Sequence, residues 1–154
     1  MYKYLVSLGL GLSFTIMKRI ELEKKRERFI LRILIVSALI ILASSIEALM
    51  MAKDVEIYRE ILKNNPGLGF DEYINSVVFN LFIRVLSPVV ISLYTFFTVK
   101  KYGVNFSYKL FFGGMTLIEI VQLILQFRIG SIFYYIVIIL NFILLFIIGR
   151  EERV

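Results

Sequence analysis

The stretch FILRILIVSALIILASSIEALMMA, residues 29–52, establishes the structural class of this chain. It is long enough to cross the hydrocarbon core of a bilayer, which requires about 20 mainly apolar residues in a helix. Arg32 and Glu47 are the charged residues within it. Three further long apolar runs follow, at residues 74–99, 110–127 and 131–149. The sequence therefore predicts an all-α integral membrane protein with four long transmembrane helices.

The composition of the whole chain agrees with this class. Of its 154 residues, 59% are hydrophobic, compared with about 45–50% in an average soluble domain. A chain of this length predicts a single helical domain over residues 1–154. A shorter apolar run at residues 4–17 predicts an additional short N-terminal hydrophobic helix. That helix would either pack against the others through its small residues or lie half-inserted at the membrane interface.

The distribution of charge predicts how the chain is oriented. The net charge is +6, and the basic residues concentrate in three segments, at residues 18–28, 100–109 and 150–153. Alternating membrane crossings place all three on one side, and an excess of Lys and Arg marks the cytoplasmic side. We therefore expect a multi-pass protein of the cell inner (cytoplasmic) membrane, with no nucleic-acid partner. On the opposite side, the apolar spacing over 54–64 predicts an amphipathic surface helix with Asp54 as its N-cap.

The residue types that are missing limit the chemistry. The chain has no cysteine and no histidine, which removes thiol nucleophiles, the usual zinc ligands and the commonest general base. No catalytic residue, metal site or cofactor is predicted, and an enzymatic function ranks below binding and transport. Any specific chemistry is therefore expected from the polar residues inside the apolar runs.

Polar side chains recur on one helical face of each long run. Because ionisable groups deep in a bilayer are costly, they face a partner or a cavity rather than lipid. The candidate ligand-binding residues are Glu47, Asn80, Arg84, Glu119, Gln122, Arg128 and Asn141. A rise of about 1.5 Å per residue places Arg84 and Glu119 at similar depth, which predicts an ion pair at the floor of a polar pocket open to the outside. The alternative is that these groups bond one another across helices and only hold the bundle together.

The stretch LIEIVQLILQFRIG, residues 117–130, contains Glu-x-x-Gln followed by Arg, at Glu119, Gln122 and Arg128. Together with Asn80 and Pro88 in the preceding run, this pattern resembles that of the VanZ-like family of small bacterial membrane proteins. The resemblance covers roughly residues 75–149, about half of the chain. It implies a cell-envelope protein from a family linked to glycopeptide (teicoplanin) antibiotic resistance.

These observations lead to two expected functions. An outward pocket with an arginine at its base suits an anionic head group, because guanidinium pairs with phosphate in a fixed fork. The first expectation is therefore a protein that binds or handles an anionic lipid or envelope ligand. The alternative is a small transporter or an accessory membrane subunit of a transport complex. The expected partners are membrane lipid and, for a bundle of so few helices, a second copy or another membrane protein.

Overall fold

The computed structural model describes residues 2–126 and 131–151, with side chains over 14–125 and 131–151, and this part of the chain is all-helical. The helices are α1 (Tyr2–Lys53), α2 (Val55–Asn64), α3 (Phe70–Tyr94), α4 (Lys100–Tyr102), α5 (Phe106–Gln126) and α6 (Ile132–Arg150). A π-helical segment, Thr95–Val99, connects α3 to α4. Within these residues, four helices are long and apolar enough to cross a membrane. The prediction of a multi-pass helical membrane protein is confirmed at this level.

Helix α1 differs from the prediction, because residues 4–17 do not form a helix of their own. They belong to a single helix of 52 residues that continues to Lys53. The intervening segment KRIELEKKRER, residues 18–28, lacks Gly and Pro and consists mainly of good helix formers. Pairs such as Glu21 and Lys25 add support at a spacing of four residues. A fall in hydropathy therefore ends an apolar run here without ending the helix.

Helix α1 is the central element of the bundle. It packs against both α3 and α6, α5 packs against α6, and α3 and α5 meet over a shorter stretch. Phe29, Ile33 and Ile40 of α1 are buried in the main apolar core, together with Val137 and Leu144 of α6. The opposite faces of the helices carry large exposed apolar side chains, as expected for surfaces in contact with lipid.

The three basic segments meet at one end of the bundle, which we call the basic end. Arg26 of α1 donates a hydrogen bond to the carbonyl of Lys100, with Nη1 3.4 Å from the oxygen. Lys109 at the start of α5 donates through Nζ to the carbonyls of Gly149, at 3.2 Å, and Glu151. The clustering predicted from alternating crossings is therefore present in the described part of the chain.

Helix α2 lies at the opposite end and begins as the sequence predicted. The Asp54 carboxylate accepts hydrogen bonds from the backbone N–H groups of Glu56, at 2.9 Å, and Ile57, at 3.3 Å. This contact satisfies two donors at the helix N-terminus that have no intrahelical partner. The apolar face of α2 packs on the ends of α1 and α3, in a cluster that includes Ile57, Tyr58, Ile61, Met51, Tyr73 and Val77. Val55, at the start of the same helix, is exposed.

The separation of the two ends can be tested with single cysteines, because the chain has none of its own. Glu60→Cys in α2 and Lys101→Cys at the basic end both replace exposed residues. In right-side-out vesicles, we expect a membrane-impermeant maleimide to label position 60 but not position 101. Permeabilised vesicles provide the control, since both positions should then react. Labelling of both cysteines in intact vesicles would contradict this topology.

Candidate ligand-binding cleft

The arginine in the middle of α3 forms an ion pair with α1. Nη1 of Arg84 lies 2.7 Å from Oε2 of Glu47, and the two side chains are 11% and 1% exposed. The predicted ion pair between Arg84 and Glu119 is therefore wrong. In the described residues, Arg84 with Glu47 is the salt bridge that the structure contains.

The pairing with Glu47 follows from the antiparallel packing of α1 and α3. Tyr73 near the start of α3 donates its hydroxyl to the carbonyl of Met51, 2.8 Å away, near the end of α1. Side chains on a helix lean toward its own N-terminus. Because α1 and α3 run antiparallel, the side chains of Arg84 and Glu47 lean toward each other. This lean shortens the distance between their charged groups along the bundle axis.

A cavity between α3 and α5 contains several of the predicted ligand-binding residues, and we call it the cleft. Its volume is about 200 Å³, and it is lined by Asn80, Ile83, Arg84, Leu86, Ser87, Met115, Ile118, Glu119, Gln122 and Leu123. Four of the seven predicted ligand-binding residues, Asn80, Arg84, Glu119 and Gln122, thus line one cavity. The interpretation that Arg84 and Glu119 lie at similar depth agrees with this arrangement, although they form no ion pair.

The cleft exists because α3 and α5 are held together nearer the basic end. Thr95, in the π-helical segment, and Tyr108 of α5 are both buried, and their hydroxyl oxygens lie 2.5 Å apart. The rings of Tyr94 and Phe112 pack with their centroids 4.9 Å apart. Single π-helical turns within helices often occur at functional sites. Here the π-helical segment places Thr95 against Tyr108, on the basic-end side of the cleft.

The mouth of the cleft lies on the flank of the bundle. Ile83, Leu86 and Ile118 line the cavity and are 44%, 48% and 59% exposed. Gln122 is also exposed. The sequence predicted a pocket open to the outside, whereas the exposed part of this cleft consists of apolar side chains and Gln122 on the flank of the bundle. Exposed apolar side chains of this kind are typical of a surface that faces lipid.

Glu119 is the most unusual group in the cleft. The residue is 8% exposed, and neither carboxylate oxygen makes a hydrogen bond of ordinary geometry. The hydroxyl of Ser87 is equally buried and lies close enough to contact the Glu119 carboxylate, although their geometry falls outside that of an ordinary hydrogen bond. Buried polar groups are normally hydrogen-bonded, and exceptions call for an explanation. Ser87 was not among the predicted site residues, although it lies one helical turn from Arg84 on the same polar face.

The remaining candidates have other surroundings. Glu47 does not line the cleft but a separate crevice between α1 and α3, which Asn80 lines as well. The crevice has a volume of about 10 Å³, which has room for at most one water molecule. Asn141 is fully buried, donates Nδ2 to the carbonyl of Val137 on its own helix at 3.0 Å, and does not line the cleft. This buried position and the bond within its own helix fit a structural role for Asn141. Arg128 lies outside the described residues.

The comparisons with known proteins add no relationship. No family model, curated protein or solved structure matches. In the described residues, no group of three or more His, Cys, Asp or Glu side chains could hold a metal ion. The polar residues of the cleft and the exposed apolar side chains beside them are therefore the features that bear on function.

Proposed function

We propose that this protein binds the polar head of a phosphate-bearing lipid, or of a lipid-linked envelope ligand, in the cleft between α3 and α5. The observation that carries the proposal is the combination of a polar interior with an apolar rim on the flank. Asn80, Arg84 and Glu119 line the interior, while the exposed side chains of Ile83 and Ile118 line the same cavity. A molecule with a polar head and an acyl chain matches both parts.

The size of the cleft supports a head group rather than an entire ligand. Pockets for drug-sized molecules have volumes of about 300–1,000 Å³, whereas the cleft has about 200 Å³. The acyl chains of a bound lipid would therefore remain outside, along the exposed apolar faces of α3 and α5. This geometry favours a ligand that arrives from within the bilayer.

Arg84 is the group expected to contact the phosphate. A guanidinium carries five N–H donors in a planar fork that matches the oxygens of a phosphate. Glu47 contacts Arg84 from the α1 side, while the cleft lies on the α5 side. In this proposal Glu47 fixes the orientation of the guanidinium, and a phosphate binds Arg84 where it lines the cleft.

We extend this proposal to the setting of the protein. Membership of the VanZ-like family, with a place in the bacterial cytoplasmic membrane and a link to glycopeptide resistance, rests on the sequence pattern described above. Support comes from the convergence of Asn80, Glu119 and Gln122, which belong to that pattern, on one cavity. The positive-inside rule supports a cytoplasmic location for the basic end.

The cleft can be tested by filling it. Gln122→Trp places a large ring at the mouth, and Val121→Trp provides the matched control, since Val121 is exposed on the same helix but does not line the cleft. Lipid that remains bound would be counted by native mass spectrometry after release from detergent. We expect the wild-type protein and Val121→Trp to retain a phospholipid that Gln122→Trp has largely lost. Equal retention by all three proteins would contradict binding in the cleft.

A further inference from the structure

The cleft contains a second carboxylate that the proposed phosphate contact does not use. Glu47 is the counter-charge of Arg84, whereas Glu119 has no ion pair and no hydrogen bond of ordinary geometry to either oxygen. With these three groups ionised, two negative charges face one positive charge. A ligand that carried only phosphate would bring a further negative charge close to Glu119, and like charges in a site of low dielectric repel strongly.

Building on the proposed function, we infer that the head group also carries a protonated primary amine, which binds Glu119. Acceptors for it lie at the cavity wall, because Glu119 and Ser87 line the cavity and their three side-chain oxygens are buried without hydrogen bonds of ordinary geometry. An ammonium group has three N–H donors and no acceptor, which matches these three oxygens. The occupant is therefore a zwitterionic lipid of the phosphoethanolamine class, with its phosphate at Arg84 and its amine at Glu119.

This inference separates three common kinds of head group by their chemistry. Phosphoglycerol has a phosphate and hydroxyl groups but no positive charge. Phosphocholine has a positive charge, but its quaternary nitrogen has no N–H to donate. Phosphoethanolamine has both the charge and the donors. A charge-assisted hydrogen bond is roughly twice as strong as a neutral one, so the cleft should prefer phosphoethanolamine to both of the others.

The experiment is a competition in native mass spectrometry. The purified full-length protein is incubated in detergent with equimolar phosphatidylethanolamine, phosphatidylglycerol and phosphatidylcholine of identical acyl chains. We expect the wild-type protein to retain phosphatidylethanolamine over each competitor by about tenfold, the scale of one charge-assisted hydrogen bond. Glu119→Gln keeps the shape of the side chain and should remove the preference while phosphatidylglycerol still binds. Glu60→Gln on the exposed face of α2 is the matched control and should leave the preference unchanged.

The possible results distinguish this inference from the function on which it rests. Equal retention of the three lipids by the wild-type protein, with loss in Gln122→Trp, would overturn the amine site and leave lipid binding in place. A preference for phosphatidylethanolamine that persists in Glu119→Gln would also overturn it. If the wild-type protein and Gln122→Trp retain no phospholipid at all, both proposals fail. Size-exclusion chromatography of each variant shows whether it is folded.

Discussion

Arg84→Leu is expected to lower the free energy of unfolding by about 3–5 kcal/mol, because it leaves Glu47 as a buried charge without its counter-ion. The Glu47 side chain is 1% exposed and lies in the interface between α1 and α3. Glu47→Leu should lower the free energy of unfolding by a similar amount, because it removes the counter-ion of Arg84. Unfolding in mixed micelles with increasing sodium dodecyl sulfate, followed by circular dichroism, measures both values.

The double variant Arg84→Leu/Glu47→Leu tests whether the two groups act as a pair. Replacing both ions by apolar side chains removes the uncompensated charge, so much of the loss should be recovered. A second cycle with Arg84→Leu and Glu119→Leu is the comparison, because Glu119 lies within electrostatic range of Arg84 but forms no ion pair with it. We expect a large coupling energy in the first cycle and a small one in the second. Additive losses for Arg84 and Glu47 would contradict the ion pair.

Glu119→Leu is expected to raise the free energy of unfolding by about 1–3 kcal/mol, the usual penalty for a buried polar group without a hydrogen bond. The sequence alone predicted the opposite sign, because Glu119 was expected to neutralise Arg84. In the structure neither oxygen of Glu119 makes a hydrogen bond of ordinary geometry, so leucine removes a penalty and breaks no ion pair. The same gain in stability should be accompanied by loss of lipid selectivity, since polar groups that bind ligands often reduce stability.

The control for this second prediction is Glu47→Leu, which changes the same residue type at a similar burial. The two carboxylates differ in that Glu47 contacts Arg84 at 2.7 Å and Glu119 forms no ion pair. Opposite signs for the two substitutions are therefore expected in the same denaturation assay. If Glu119→Leu destabilises the protein as much as Glu47→Leu does, Glu119 has an essential structural partner and our account of the cleft is wrong.

Several features of this protein could be predicted from its sequence because they depend on local properties. The length of an apolar run predicts a membrane-crossing helix, and four such helices are present. Asp54 followed by apolar residues at helical spacing predicted the N-terminus of α2. The alternation of crossings predicted that the basic segments would meet at one end. Helical periodicity also identified Asn80, Arg84 and Glu119 as inward-facing polar residues, and all three line the cleft.

The continuity of α1, the partner of Arg84 and the place of the cleft on the flank of the bundle were decided only by the tertiary structure. Hydropathy along one segment shows where a helix leaves the membrane, but not whether the helix ends there. The choice of Glu47 over Glu119 depends on the distances between helices and on the lean of side chains in an antiparallel pair. The cleft depends on contacts such as that of Thr95 with Tyr108, which join α3 and α5 at one level and leave them apart at another. These are relations between segments far apart in the chain, and a periodic pattern within one helix contains no information about them.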